Sequence, residues 1–235
     1  MKAIILAAGR GNRLLPQTDR MPKCMLKVGS KTILEHQLDI LESCKIGGIL
    51  IVIGYRGDKI VKLAGNRAKF IENKDYARTN SSYSLWLARE KLKAGFVYLN
   101  SDLLFHPDLL KKLLKSRHSD AMIVDKNKKS KNDMFKAFVK NGRITRLGKD
   151  LDLNKAYGEA PGPLKLSSGF AAETFKEIGN RVKRGEKNHF CYTIFGKVAN
   201  KKPLYAIDAD GAYWVEVDYR KDLKKARELA GKHDL

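Results

Sequence analysis

The run Leu6-Ala7-Ala8-Gly9-Arg10-Gly11-Asn12-Arg13-Leu14-Leu15-Pro16 decides how this chain of 235 residues is read. Residues 2–6 read as a buried strand, and the small pair Ala7-Ala8 and then Gly9 end it. From Gly9 to Pro22 the chain is polar, basic and glycine-containing, which makes it a loop. A glycine turn at the carboxyl end of a buried strand lets backbone N–H groups approach phosphate oxygens. Arg13 and Lys23 add cations that can neutralise a polyphosphate. Two phosphate motifs are excluded: Leu14 stands where a dinucleotide fingerprint has its third glycine, and no Gly-Lys-Ser/Thr closes a P-loop. An ordinary turn with surface arginines fits the same residues.

Outward from this loop, strand and helix signals alternate. Thr32 and Glu35 have capping-box spacing, and Leu34, Leu38 and Leu41 then share one helical face. Residues 49–53 read as a second buried strand, with a short helix over 59–64 and a short strand at Phe70-Ile71. Residues 80–82 can cap a helix carrying Leu85, Ala88 and Leu92 on one side. Residues 96–99 form a strand running into Asn100-Ser101-Asp102. Pro107 opens the next helix, and 121–124 is another strand. Such alternation implies an α/β fold with a largely parallel sheet.

The rhythm changes after Lys126. Residues 134–139 and 143–147 flank Asn141-Gly142, a dipeptide suited to a tight hairpin turn. A strand over 164–170, helices near 174–182 and 190–198, strands over 204–207 and 213–217, and a last helix over 220–229 complete the reading.

Composition narrows the class. Hydrophobic residues make up 43% and charged residues 31%, a globular balance. No apolar run approaches the length of a membrane span. The first apolar run is short and followed at once by Arg10 and Arg13, unlike a secretory signal. Cys24, Cys44 and Cys191 lack metal-ligand spacing and read as reduced thiols, so a cytoplasmic setting is expected. The net charge of +21 is diffuse. Its densest run is Lys126, Lys128, Lys129 and Lys131, which reads as a solvated loop without aromatic residues for base stacking.

The segment Leu6 to Pro16, with Pro22-Lys23-Cys24-Met25-Leu26-Lys27-Val28, resembles the start of the sugar-nucleotidyltransferase superfamily, LAAGxGxRLxP…PKxLxxV. Asn80-Ser81-Ser82-Tyr83-Ser84-Leu85 resembles the NxxYSL segment of its phosphocholine cytidylyltransferase-like branch. Gly158-Glu159 with Lys165, and Trp214-Val215-Glu216-Val217-Asp218, resemble two further segments of that branch. The resemblance implies an α/β fold of a single Rossmann-like domain. Its sheet is mixed and mostly parallel, flanked by helices, with a small antiparallel extension. Residues 1–125 would form the nucleotide-binding half and 126–235 the acceptor-binding and metal-completing half. The implied reaction moves a cytidylyl group from CTP to a small phosphorylated or phosphonate acceptor, phosphocholine-like as first choice, and releases pyrophosphate. The partners implied are CTP and that acceptor, with no nucleic acid.

The resemblance carries roles to particular residues. Asp102 and Asp218 become metal ligands, and two hard oxygen ligands without a His or Cys cluster suit Mg²⁺. Asp102 also reads as a turn former, and Asp218 as the N-cap of the last helix. Leu6, Ala8, Gly9, Gly11, Arg13, Lys23, Asn80, Ser84 and Asp102 are expected at the nucleotide. Tyr83, Glu159, Lys165, Trp214 and Glu216 are expected at the acceptor. Arg13, Lys23 and Lys149 are the catalytic candidates, although Lys149 also reads as a surface lysine after a hairpin. A quaternary ammonium would call for an aromatic or acidic cage, for which Tyr83, Trp86, Tyr157, Tyr192, Trp214 and Glu159 are available. Trp86 reads more simply as core. Other readings remain: a sugar-1-phosphate nucleotidylyltransferase using another NTP, a basic nucleic-acid-binding module without catalysis, or a metal-dependent glycosyltransferase. The last needs paired aspartates, and Asn100-Ser101-Asp102 offers one carboxylate.

Overall fold

Alternation of side chains along the first strand sets the layers. In the computed structural model, which describes residues 1–127, 133–152 and 154–233, β1 spans Lys2–Ala7. Ile4 faces one core, while Ala3, Ile5 and Ala7 face the other. Further along the chain come β2 (Lys27–Val28), β3 (Lys31–Thr32), α1 (Ile33–Ser43), β4 (Ile49–Ile53), α2 (Gly57–Ala64) and β5 (Lys69–Glu72). Then follow α3 (Ser81–Leu87), β6 (Gly95–Asn100), β7 (Leu103–Phe105), α4 (Pro107–Lys115) and β8 (Ala121–Val124). The second half holds β9 (Lys136–Lys140), β10 (Arg143–Gly148), β11 (Gly158–Glu159), β12 (Leu164–Ser167), α5 (Ser168–Lys183) and α6 (Cys191–Ala199). It ends with β13 (Tyr205–Asp208), β14 (Trp214–Glu216) and α7 (Arg220–Lys232).

Among the described residues, ten strands form one sheet in the order β11-β9-β10-β13-β8-β12-β6-β1-β4-β5. Only β12, β10 and β11 run against the others, so the sheet is mixed and mostly parallel, as the alternation implies. Helices α3, α5 and α6 cover one face; α1, α2 and α4 cover the other. The Asn141-Gly142 turn joins β9 to β10 with φ of 51° and 75°, the left-handed pair its sequence demands. Among the described residues no helix is long and apolar enough to cross a membrane. Of the basic run, Lys126 pairs with Asp208 at 2.5 Å, and Lys128, Lys129 and Lys131 lie outside the described residues.

Boundaries shift where capping chemistry intervenes. The strand expected through Phe170 stops at Ser167, whose hydroxyl accepts a bond from the Phe170 N–H and starts α5. Helix α3 ends at Leu87, and Leu92 reaches the core after a single 3-10 turn.

A smaller third core brings the chain's two ends together. Leu14, Val28, Leu104, Val215 and Val217 pack under Leu223, Ala226 and Ala230 of α7. Beneath α7, β14 pairs antiparallel with β7, setting Glu216 opposite Leu103. The Val217 N–H then donates to the Asp102 carbonyl at 2.9 Å. This ribbon escaped the sequence reading at β7, because Leu103–Phe105 is too short to show a period.

The capping box of α1 forms as its spacing predicts. The Thr32 hydroxyl accepts from the Glu35 N–H at 3.2 Å, and the Glu35 carboxylate accepts from the Thr32 N–H at 2.8 Å. Thr32→Ala should cost about 1 kcal/mol. In a chain of this length that lowers the thermal midpoint by about 2–4 °C, measurable by scanning calorimetry; an unchanged midpoint would remove the cap from the account.

Candidate active site

A cleft of about 390 Å³ opens beyond the carboxyl ends of β1 and β6, where open α/β sheets bind ligands. Leu6, Ala8 and Gly9 end β1 along its wall, and the loop then turns through Gly11 with φ +73°. A Cβ on Gly11 would meet the Lys23 side chain at 3.0 Å. Glycine is thus needed here both for the turn and for the approach of Lys23.

The Lys23 ammonium joins the two aspartates expected to act together. It lies 2.5 Å from Asp102 Oδ2 and 2.8 Å from Asp218 Oδ1. Arg13 meets the other Asp218 oxygen at 3.0 Å. Burial disfavours the Lys23 charge, but the two carboxylates outweigh it and raise its pKa. Burial likewise works against ionised Asp218, but Lys23 and Arg13 overcome it and hold that carboxyl below its usual range. Glu216 takes the opposite course. Burial first, and then the Asp102 and Asp218 charges, push its carboxyl up to about 8.

Asp218 is not the N-cap of α7. That place is taken by Tyr219, and Asp222 accepts the N–H bonds of Asp218 and Tyr219, leaving the Asp218 carboxylate to the cleft. Nor does the Asp102 side chain close a turn: Oδ2 meets Lys23, and Oδ1 is buried with no hydrogen-bond partner among the described residues. Asp102 is carried on a pinned turn. The buried Gln37 of α1 donates to the Asn100 carbonyl at 2.8 Å and to the Leu103 carbonyl at 2.7 Å.

All nine residues expected at the nucleotide line this one cleft, and so do Lys149, Glu216 and Asp218. Four expected acceptor residues do not, and each has another role. Lys165 alternates away from its neighbours Leu164 and Leu166 and donates to the Leu114 and Ser116 carbonyls at the end of α4. Trp214 shares a strand face with Glu216 but sits deeper, its indole N–H donating to buried Asp125 at 2.8 Å. Glu159 is buried in the β11–β9 ladder, bridged through its backbone to Asp125. Tyr83, on α3, carries the Lys187 ammonium over its ring at 4.9 Å. Trp86 is core, packed against Gly179.

The aromatic wall comes from other residues. Phe135, Phe190 and Tyr192 line the cleft, with ring centroids 5.6 Å and 4.9 Å apart around Phe135. The Lys149 ammonium lies 5.3 Å over Phe135 and 4.9 Å over Phe190. Of the three rings, only Tyr192 is a candidate from the sequence. Asn73, from the segment after β5, also lines the cleft unforeseen.

A protein-family model described as "MobA-like NTP transferase domain" matches residues 3–184. The chain belongs to this family. It is an enzyme of nucleotidyl transfer, and the binding-module reading falls away. This NTP transferase is 30% identical to a CTP:phosphoglutamine cytidylyltransferase of Campylobacter jejuni, over 95% of this chain and 98% of that one. A choline-phosphate cytidylyltransferase of Streptococcus pneumoniae is 40% identical over 45% of this chain and 46% of its own. The solved CTP:phosphocholine cytidylyltransferase of Streptococcus pneumoniae superposes with a TM-score of 0.80 at 24% identity, covering 97% and 98% of the two chains. That last likeness is one of fold.

Within this NTP transferase, Gln37→Leu would leave the Asn100 and Leu103 carbonyls bare. Two buried unpaired acceptors should cost about 2 kcal/mol, or about 4–8 °C in thermal midpoint. A midpoint within a degree of the parent would mean the turn holds without Gln37.

Proposed function

We propose that this enzyme moves a cytidylyl group from CTP to a small phosphorylated or phosphonate acceptor bearing an ammonium group, phosphocholine-like as first choice, and releases pyrophosphate. The observation that carries the reading is the Lys23 ammonium between Asp102 and Asp218 at the end of the β1 glycine loop. The full-length likeness to a cytidylyltransferase supports the choice of nucleotide. Residues through β8 would hold the nucleotide, and the later elements would complete the acceptor side.

The residues present fit Mg²⁺. Asp102 has a buried oxygen without a partner, and Asp218 faces the same ammonium. No group of three or more His, Cys, Asp or Glu among the described residues is arranged for a metal, which suits an ion that keeps waters and takes substrate phosphates. Asp102 and Asp218 would hold it, and when bound it offsets phosphate charge at the reacting phosphorus.

The rest follows from this chain's own groups. An acceptor oxygen, already anionic, forms a bond to the α-phosphorus of CTP. The bond from that phosphorus to the bridging oxygen breaks, and its electron pair leaves with pyrophosphate. No general base is required. The barrier is repulsion between two polyanions, which Arg13, Lys23 and the loop N–H groups offset by position and charge. On the acceptor side, Phe135, Phe190 and Tyr192 form a corner suited to a cation, since Lys149 already rests an ammonium there.

Lys23→Ala should lower turnover by more than about tenfold with the circular dichroism spectrum unchanged. A parent-like rate in a verified variant ends its catalytic role. Pyrophosphate release across the four NTPs should be greatest with CTP and with ammonium-bearing acceptors. Release confined to another NTP, or to neutral sugar phosphates, would replace this reading with a sugar nucleotidylyltransferase.

A further inference from the structure

The cleft wall between β5 and α3 differs from the rest in carrying no charge. Its lining side chains are Asn73, Tyr76, Thr79, Asn80, Ser81 and Ser84. Phosphates belong with Arg13 and Lys23, and the acceptor with Lys149 and the aromatic corner. The neutral, hydrogen-bonding wall is left for the nucleobase.

Two buried residues on this wall are oriented without ambiguity. Asn73 is 1% exposed and Ser84 is 4% exposed. The Asp75 backbone N–H, which can only donate, meets Asn73 Oδ1 at 3.0 Å and so fixes which end of the amide is oxygen. The Asn73 NH₂ therefore faces Thr79 Oγ1 and Ser84 Oγ, each at 3.0 Å. Thr79 passes its own hydrogen to the Asp75 carbonyl at 2.9 Å. Ser84 Oγ accepts from Asn73, and its own hydrogen has no acceptor among the described residues. The Asn80 carbonyl one turn back is already taken by the Tyr83 and Ser84 N–H groups. This hydroxyl lines the cleft.

We propose that Asn73 is a positioning residue for nucleotide choice: by occupying one lone pair of the Ser84 hydroxyl it biases that hydroxyl toward donating into the cleft, which favours a cytosine over a uracil. Cytosine presents a bare ring nitrogen, N3, that accepts this hydrogen. Uracil carries a hydrogen on N3 and would set donor against donor. A site built around a hydrogen bond rejects the base that cannot make it more strongly than an apolar pocket rejects a wrong shape. The inference rests on the CTP reading above.

The test compares CTP with UTP in the full-length chain. Asn73→Asp keeps an oxygen for the Asp75 N–H but turns a second oxygen toward Ser84. The Ser84 hydroxyl then donates to the introduced carboxylate and offers lone pairs to the cleft, which suits uracil N3–H. The ratio of kcat/KM for CTP to that for UTP should fall at least about tenfold. Ser84→Ala removes the donor with little demand on the helix and should lower the same ratio. It serves also if Asn73→Asp does not fold. An unchanged ratio in folded Ser84→Ala overturns the proposal, as does a parent enzyme that prefers UTP. Thermal-shift measurements with each nucleotide separate this from the catalytic reading. A parent that releases no pyrophosphate, yet is stabilised more by CTP than by UTP in a manner lost in Ser84→Ala, keeps the base assignment and ends the transferase proposal. Equal shifts by both nucleotides end the base assignment whatever the turnover.

Discussion

One ammonium, that of Lys23, stands between the carboxylates of Asp102 and Asp218, and the rest of the cleft depends on it. Taking such charges out of water costs several kcal/mol per ion unless partners are well placed. Two buried acids at the end of a sheet would rise toward protonation, as the neighbouring Glu216 does, through burial first and then repulsion by Asp102 and Asp218. Lys23 reverses that for Asp218. It reaches the position because Gly11 lacks a side chain and because the β7–β14 ribbon carries Asp218 back to Asp102. The charges are local, but what holds them is topology.

That dependence explains which parts were legible in the sequence. The β1 strand, its glycine loop and the strand leading to Asp102 are contiguous signals of period and turn chemistry. The Asp102–Asp218 pairing was legible through family resemblance, since no local rule joins residues so far apart in the chain. Phe135, Phe190 and Asn73 were not legible. Each comes from an irregular segment and reaches the cleft only through the packing of elements on either side. Lys165 and Trp214 misled for a related reason. A motif places a residue in sequence, but strand alternation and depth decide which side it faces. Lys165 turns to the α4 carbonyls, and the Trp214 indole turns to buried Asp125.

The net charge of +21 does not come from the cleft. There Arg13, Lys23 and Lys149 face Asp102, Asp133, Glu216 and Asp218. A mixed site of this kind binds by arrangement, whereas the surplus of cations over the surface acts at a distance. Such a field raises the encounter rate of polyanionic substrates and weakens as salt is added. In the proposed reaction, capture and chemistry would then fall to different sets of residues.

Division of labour runs through the cleft itself. In the proposed reaction the charged groups at the end of β1 meet phosphate, which every NTP and every phosphorylated acceptor carries, so they would confer reaction but little choice. Choice requires groups that distinguish neutral edges and apolar faces, and as proposed it falls to the Asn73–Ser84 pair toward the base and to Phe135, Phe190 and Tyr192 toward the acceptor. The first depends on the orientation of a buried amide, fixed by a backbone N–H. The second depends on rings brought from separate elements around an ammonium. Side chains of the second kind can change without disturbing Lys23, Asp102 or Asp218. On the proposed assignment, acceptor choice can change while the nucleotidyl-transfer apparatus stays the same.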